Sequence, residues 1–93
     1  MARFLIEVPH EGEVVACAKV VDAFLKTGSH FLTNADWGCQ DGEHKAWLIV
    51  ETDSKDEARL VLPPSFRKDA KIVELRKFTL DDIGPIFRAH GLE

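Results

Sequence analysis

Long apolar runs are missing from this sequence. No stretch approaches the roughly 20 apolar residues that a membrane-spanning helix needs. The apolar run near the N-terminus, over residues 4–8, is too short for a signal peptide and is interrupted by Glu7. We therefore expect a cytoplasmic protein that has no membrane partner.

Basic residues are also scarce. The chain has 12 lysine and arginine residues against 16 aspartate and glutamate residues, which gives a formal net charge of -4. This balance excludes the broad basic surface that neutralises phosphates, so we expect no binding to nucleic acid. The expected partner is a small molecule, a divalent metal ion or another protein chain.

Cysteine is limited to Cys17 and Cys39, and no CxxC pair occurs. The spacing excludes a thioredoxin-like redox motif and a zinc ribbon. In a chain without a secretory signal, two cysteines are typical of reduced thiols rather than of a disulfide framework. Cys17 falls on the apolar stripe of a predicted helix, where we expect it to pack as a small hydrophobe.

The remaining composition is that of an ordinary soluble domain, with 45% hydrophobic and 30% charged residues among 93. A chain of this length fits one domain over residues 1–93. It lies near the lower size limit for a self-sufficient core, so we expect help from a partner subunit.

Apolar periodicity predicts the element order β-α-β-β-α-β-α. It assigns strands to residues 4–8, 30–37, 45–51 and 71–78, and helices to residues 12–27, 54–62 and 79–90. The dipeptide Asp41-Gly42 is typical of a two-residue turn between the second and third strands. Ser54 and Glu57 match a capping box, and Thr79 caps the terminal helix.

This order predicts an α+β protein with a ferredoxin-like fold. Right-handed crossovers place the first and third strands at the centre of an antiparallel four-stranded sheet, with two helices on one face and a short C-terminal helix. The other face then needs a cover. Two sheets packed face to face in a homodimer are the simple solution, and the alternative is a monomer whose bare face is wet.

The predicted turn pairs Gln40 with Glu43 and so fixes which hairpin residues share a face. The smaller and more apolar set, which we place under the helices, is Phe31, Thr33, Ala35, Trp37, Cys39, His44, Ala46, Leu48, Val50 and Thr52. The opposite, open set is His30, Leu32, Asn34, Asp36, Trp47, Ile49, Glu51 and Asp53, with Arg3, Leu5, Glu7, Ile72, Glu74 and Arg76 from the neighbouring strands.

The open face is too polar for a dry core, yet it has the aromatic and aliphatic surface that ligand pockets use. Its candidate ligand-binding residues are Glu7, Asn34, Trp47, Glu51, Glu74 and Arg76. The alternative interpretation is a solvated or salt-bridged dimer interface, because ion pairs commonly line such contacts.

Two histidine and cysteine groups are candidates for chemistry. Cys39 and His44 are opposed in the predicted register, so Cys39 is either a reactive thiol, the start of a metal site, or a packed hydrophobe. A second group gathers His10, His30 and Glu51 at one edge of the ferredoxin-like sheet. It indicates a metal site at His10 and His30 or acid-base work by His30, and the alternative is that His10 faces water.

The element order, the chain length and the phrase Gly28-Ser29-His30-Phe31-Leu32-Thr33 before a hairpin resemble the dimeric α/β-barrel superfamily. The likeness is to short uncharacterised bacterial proteins and, more distantly, to small nickel-binding and muconolactone-isomerase-like members. It covers about the first 78 residues. It implies a homodimer with a pocket, and no particular substrate.

Three hypotheses about function follow. The first is a cytoplasmic homodimeric protein that binds a small ligand or a metal ion. The second is a small enzyme without an organic cofactor, of isomerase or oxygenase type, with His30 as the acid or base and with Asn34 or Arg76 holding an anionic substrate. The third is a structural or regulatory module that binds another protein.

Overall fold

The computed structural model describes residues 1–92 and is an α+β protein with a four-stranded antiparallel sheet. The strands are β1 (Ala2–Pro9), β2 (Asp36–Trp37), β3 (Lys45–Thr52) and β4 (Lys71–Leu75), in the spatial order β2-β3-β1-β4. The helices are α1 (Val14–Lys26), α2 (His30–Thr33), α3 (Lys55–Arg59) and α4 (Leu80–Ala89), and short 3-10 turns lie at Cys39–Asp41 and Pro64–Phe66. Within residues 1–92, no helix has the length and apolar content to cross a membrane.

The core lies between one face of the sheet and the helices. Side chains alternate between faces along a strand, and the central strands β1 and β3 bury every second residue on the same side. The buried residues of these two strands are Phe4, Ile6, Val8, Ala46, Leu48 and Val50. Phe24 of α1 and Ala58 of α3 belong to the same apolar cluster, so both helices pack on this face. The predicted faces of β1 and β3 are confirmed.

The predicted hairpin register is confirmed for the two residue pairs that join β2 to β3, although the turn is built differently. Asp36 pairs with Trp47 and Trp37 with Ala46, as predicted. The two-residue turn is replaced by the 3-10 turn over Cys39–Asp41, which ends at Gly42 with a φ of 82°. Glycine adopts this left-handed conformation without a steric penalty, so the chain reverses there.

The predicted second strand over residues 30–37 is wrong except at Asp36–Trp37, and His30–Thr33 form the short helix α2. The Ser29 side chain accepts a hydrogen bond from the Leu32 amide, and the Thr33 hydroxyl donates to the Ser29 carbonyl at 2.9 Å. These local bonds offer the backbone an alternative to a sheet ladder. His30 therefore lies on a helix and not on the open sheet face.

The predicted face of β4 is wrong as well. Ile72 pairs with Ile6 and Glu74 pairs with Phe4, so Ile72 and Glu74 share the core side, and Ile72 is buried. Val73, opposite Leu5, lies on the open side instead. The sequence of β4 alternates equally well in either orientation, and burial of Ile72 against the helices decides between them.

Helix α4 stands away from the core. Thr79 caps it as predicted, with a capping box that also uses Asp82, yet none of its residues is buried and Leu80 is 83% exposed. The radius of gyration is 17.1 Å, against about 12 Å for a compact chain of this length. The molecule is therefore elongated, with extents of 54 × 29 × 21 Å.

Candidate functional site

The candidate site lies just beyond the end of the β1–β3 ladder. Pro9 pairs with Lys45 at the last step of that ladder. The amide of His10 continues it by donating to the His44 carbonyl at 3.0 Å. On the other side of β3, the Gly38 amide donates to the Lys45 carbonyl at 3.1 Å, which brings the next residue, Cys39, beside His44.

Three neighbouring segments thus place His10, His44 and Cys39 in one row. The row continues the core-facing side of the sheet, since the ring of His10 lies 5.7 Å from that of Trp37, a side chain packed against the core cluster. One potential ligand atom from each of the three residues lies within 4.8 Å of the other two, and all three residues are half-buried.

Helix α1 adds a fourth group from above the row. The Sγ atom of Cys17 lies 2.9 Å from that of Cys39, although the two residues are 22 positions apart in the sequence. The Sγ atom of Cys39 lies 3.2 Å from Nε2 of His10. Two sulfur and two imidazole groups therefore meet at one corner of the fold.

The tautomer of His10 follows from its second nitrogen. Nδ1 lies 3.0 Å from the Glu11 carbonyl oxygen. A carbonyl oxygen only accepts, so Nδ1 carries the proton and donates it. In the neutral ring with this tautomer, Nε2 has its lone pair directed at Cys39, and this is the form in which histidine binds a metal ion.

His44 is held against the backbone of Gly12. A methyl group on Gly12 would stand 2.8 Å from Cδ2 and 2.9 Å from Nε2 of the imidazole, so no larger residue fits without moving the ring. Nδ1 of His44 is buried and has no hydrogen-bond partner among residues 1–92. A buried polar atom of this kind calls for a hydrogen-bond partner or a metal ion, because leaving it unpaired costs free energy.

The thiols extend the hydrogen-bond chain. Cys17 donates to the sulfur of Cys39, and this bond, with some help from burial, raises the pKa of the Cys17 thiol above its ordinary value. The Cys39 thiol faces the lone pair of His10 Nε2 at 3.2 Å. A metal ion placed among these atoms would replace the two thiol protons.

Two clefts open onto the sulfur atoms. One, of about 240 Å³, is bounded by Gly12, Val14 and His44 together with both cysteines. The other, of about 530 Å³, is bounded by Val21 and Trp37 and again by both cysteines. Both cysteines thus line two clefts on this side of the fold.

The predicted group of His10, His30 and Glu51 is not formed. β1 runs antiparallel to β3, so Glu51 pairs with Arg3 at the opposite end of the ladder from His10. His30 is exposed on α2, where its carbonyl accepts a hydrogen bond from the Asn34 side chain at 2.7 Å. Of the predicted metal ligands, only His10 reaches the cluster.

The predicted ligand-binding residues fall into two separate depressions. Asn34 and Trp47 line one of about 390 Å³ on the open face, where Nε1 of Trp47 donates to Glu7 at 3.1 Å and Lys45 lies 3.8 Å from the same carboxylate. The other, of about 500 Å³ and bounded by Glu74, Arg76, Met1, Arg3 and others, lies at the end of the β1–β4 pair. Glu51 is exposed near the end of β3.

The sequence-based prediction missed Cys17 and separated His10 from His44. The available signal was the alternation of faces along the strands. The buried residues of β1 and β3 have even numbers, which puts His10 and His44 on the same face, and Cys17 lies on the helix stripe that covers this face.

Comparisons with protein-family models, with curated proteins and with solved structures find no match for this chain.

Proposed function

We propose that this protein binds a transition-metal ion, with Zn²⁺ as the best fit, through His10, Cys39 and His44. The supporting observation is that ligand atoms from three separate segments lie within 4.8 Å of one another. Tetrahedral Zn²⁺, with bonds of about 2.0–2.3 Å, keeps its ligand atoms roughly 3.3–3.8 Å apart. The separation of up to 4.8 Å exceeds that range by about 1 Å, so small side-chain movements would be needed to bind the ion.

The donor types select the metal. Imidazole nitrogen and thiolate sulfur suit Zn²⁺ and other soft or borderline ions, whereas Mg²⁺ and Ca²⁺ prefer oxygen ligands. The Cys17 sulfur, 2.9 Å from that of Cys39, supplies a fourth donor. A set of two histidines and two cysteines is typical of closed zinc sites that stabilise or sense rather than catalyse.

Metal titration tests this function. Purified protein is stripped of metal, reduced, and titrated with Zn²⁺ against a chromophoric chelator and with Co²⁺ as a visible probe of thiolate ligation. We expect one ion per chain, with tetrahedral Co²⁺ absorption. Cys39→Ser and His44→Ala are expected to weaken binding by more than the roughly 10–100-fold that loss of an outer-shell partner costs.

His90→Ala is the matched control, because it removes a histidine from the C-terminal end of α4. It is expected to bind as the unaltered protein does. His30→Ala tests the ligand set predicted from the sequence, and the proposal expects it to behave like the control. Equal affinity for Cys39→Ser, His44→Ala and the unaltered protein would contradict the function.

We also propose that the fold is ferredoxin-like and that two copies pair through their open sheet faces. The strand order β2-β3-β1-β4, with α1 and α3 packed on one face, supports the first part. The second part is supported by Ile49, which is 52% exposed at the centre of the open face, beside the half-buried Leu5 opposite it. Apolar surface of this kind is stabilised by burial against a second copy.

A further inference from the structure

The close contact between the two cysteines is not explained by metal binding alone. Their sulfur atoms lie 2.9 Å apart, which is nearer than the roughly 3.7 Å expected of two sulfurs on one Zn²⁺. A disulfide bond is about 2.05 Å long. Formation of that bond therefore needs the sulfurs to approach by less than about 1 Å.

We propose that Cys17 and Cys39 are a redox pair, which a hydroperoxide oxidises to a disulfide that expels the metal ion. The expulsion rests on the proposed metal-binding function, whereas the disulfide does not. The two states exclude each other because Cys39 is needed by both. Once its sulfur is bonded to Cys17, it is no longer a thiolate that can bind the ion.

Cys39 is the sulfur placed to react first. It lies between the Cys17 thiol and Nε2 of His10, at 2.9 Å and 3.2 Å, and that nitrogen is positioned to accept its proton. Both cysteines also line the clefts of about 240 Å³ and 530 Å³, so a small oxidant reaches the sulfurs from either side. An accessible thiol beside a second thiol is typical of redox-sensing cysteines.

The chemistry balances with the hydroperoxide as the oxidant. The Cys39 thiolate attacks the distal peroxide oxygen, the O–O bond breaks, and the alcohol or water leaves with a proton, so that Cys39 becomes a sulfenic acid. The Cys17 sulfur then attacks the Cys39 sulfur. The S–O bond breaks, hydroxide leaves as water with the Cys17 proton, and the S–S bond forms. The two thiols lose two electrons and the peroxide gains them.

Mass spectrometry of metal-free protein tests the disulfide. Reduced protein is treated with hydrogen peroxide, its remaining thiols are alkylated under denaturing conditions, and the peptides are mapped. We expect a Cys17–Cys39 peptide pair within one chain, which a dithiol reductant removes. In Cys17→Ser we expect Cys39 to stop at the sulfenic acid, which dimedone traps. Failure of the unaltered protein to form the intrachain disulfide would overturn the proposal.

Zinc release tests the coupling. Protein loaded with Zn²⁺ is treated with peroxide beside a chromophoric chelator, and then with reductant. We expect the ion to be released as the disulfide forms, the affinity of the oxidised protein to fall by at least about tenfold, and binding to return on reduction. A disulfide that leaves the bound Zn²⁺ in place would overturn the release.

The two proposals fail in different ways. Reduced protein that takes up no Zn²⁺ contradicts the metal-binding function, and the release with it. The peptide map of metal-free protein then still decides whether the redox pair exists. Conversely, tight Zn²⁺ binding without an intrachain disulfide supports the function and overturns the redox pair.

Discussion

At the scale of single residues, the site depends on a close approach that only glycine permits. Gly12 touches the imidazole of His44 so closely that an added methyl group would stand 2.8 Å from Cδ2. Its role is steric, since it leaves the ring just enough room in its present position. The orientation of one candidate ligand is thus set by a residue that has no donor atom.

Gly12→Ala is expected to weaken Zn²⁺ binding by roughly 10–100-fold, the usual effect of losing an outer-shell support. The ring of His44 must move to make room, while the exposed position of Gly12 leaves the core intact. Competition with a chelator measures the affinity, and the thermal midpoint of the metal-free protein checks the fold. Gly84→Ala on α4 is the control. Unchanged affinity in Gly12→Ala would show that His44 does not bind the ion in this orientation.

Residue patterns predicted part of the site and missed part of it. The opposition of Cys39 and His44 followed from the hairpin turn, because a short loop fixes its own register. The contact between His10 and His44 did not, since β1 and β3 are joined by a long crossover that leaves their register open. Cys17 looked like any small apolar residue on a helix, and only the packing of α1 places it on Cys39.

At the scale of elements, α4 depends on its cap rather than on packing. The Thr79 hydroxyl oxygen accepts from the Asp82 amide, and the Asp82 carboxylate accepts from the Thr79 amide at 2.8 Å. That backbone hydrogen bond is the main reason why the pKa of Asp82 is lowered, and the Thr79 hydroxyl and the charge of Arg76 act in the same direction. A short helix without buried residues is marginal without such support.

The helix content of α4 is therefore expected to depend on pH. Because the pKa of Asp82 is lowered on folding, its stabilising effect is complete above its ordinary value of 3.8 and is lost as the pH falls through the lowered value. Far-UV circular dichroism measures the loss of helix signal as the pH falls from about 6 to about 2. Asp82→Asn should not show the loss of helix that comes from Asp82, whereas Asp81→Asn, which leaves the capping box intact, should show it. An identical loss of helix signal in both variants would contradict the assignment.

Element prediction succeeded where one strong local signal agreed with packing. The caps at Ser54 and Thr79 start α3 and α4 as predicted. It failed at α2, where Phe31, Leu32 and Thr33 have strand propensity but Ser29 caps a helical turn. It also failed at β4, whose five residues fit either face, so that only the rest of the core decides.

At the scale of the whole molecule, the open sheet face and α4 leave much apolar surface unburied. Ile49 is 52% exposed on the sheet, and Phe78 and Leu80 before and in α4 are 74% and 83% exposed. A small chain gains relatively little from its own core, so pairing with a second copy, as proposed above, would add substantially to its stability by burying this surface.

Ile49→Lys is expected to convert a dimer into a monomer. The new charge would be buried at the centre of the paired faces without a partner, while the core on the other side of the sheet is untouched. Native mass spectrometry of untagged protein gives the subunit number. Lys19→Glu, an exposed change on α1, should leave the dimer intact. A monomer in the unaltered protein would contradict pairing through this face.

The row formed by His10, Cys39 and His44 would also distinguish the correct alignment of β1 with β3 from a slipped one. A slip of β1 past β3 by two residues keeps every apolar side chain on its own face, so the alternation of faces does not exclude it. The same slip moves His10 about 7 Å along the sheet from His44, beyond the reach of one ion. An ion that binds only the aligned form adds its binding free energy to that form alone. When the metal ion is present, folding would then favour the aligned pairing of β1 and β3 over the slipped one.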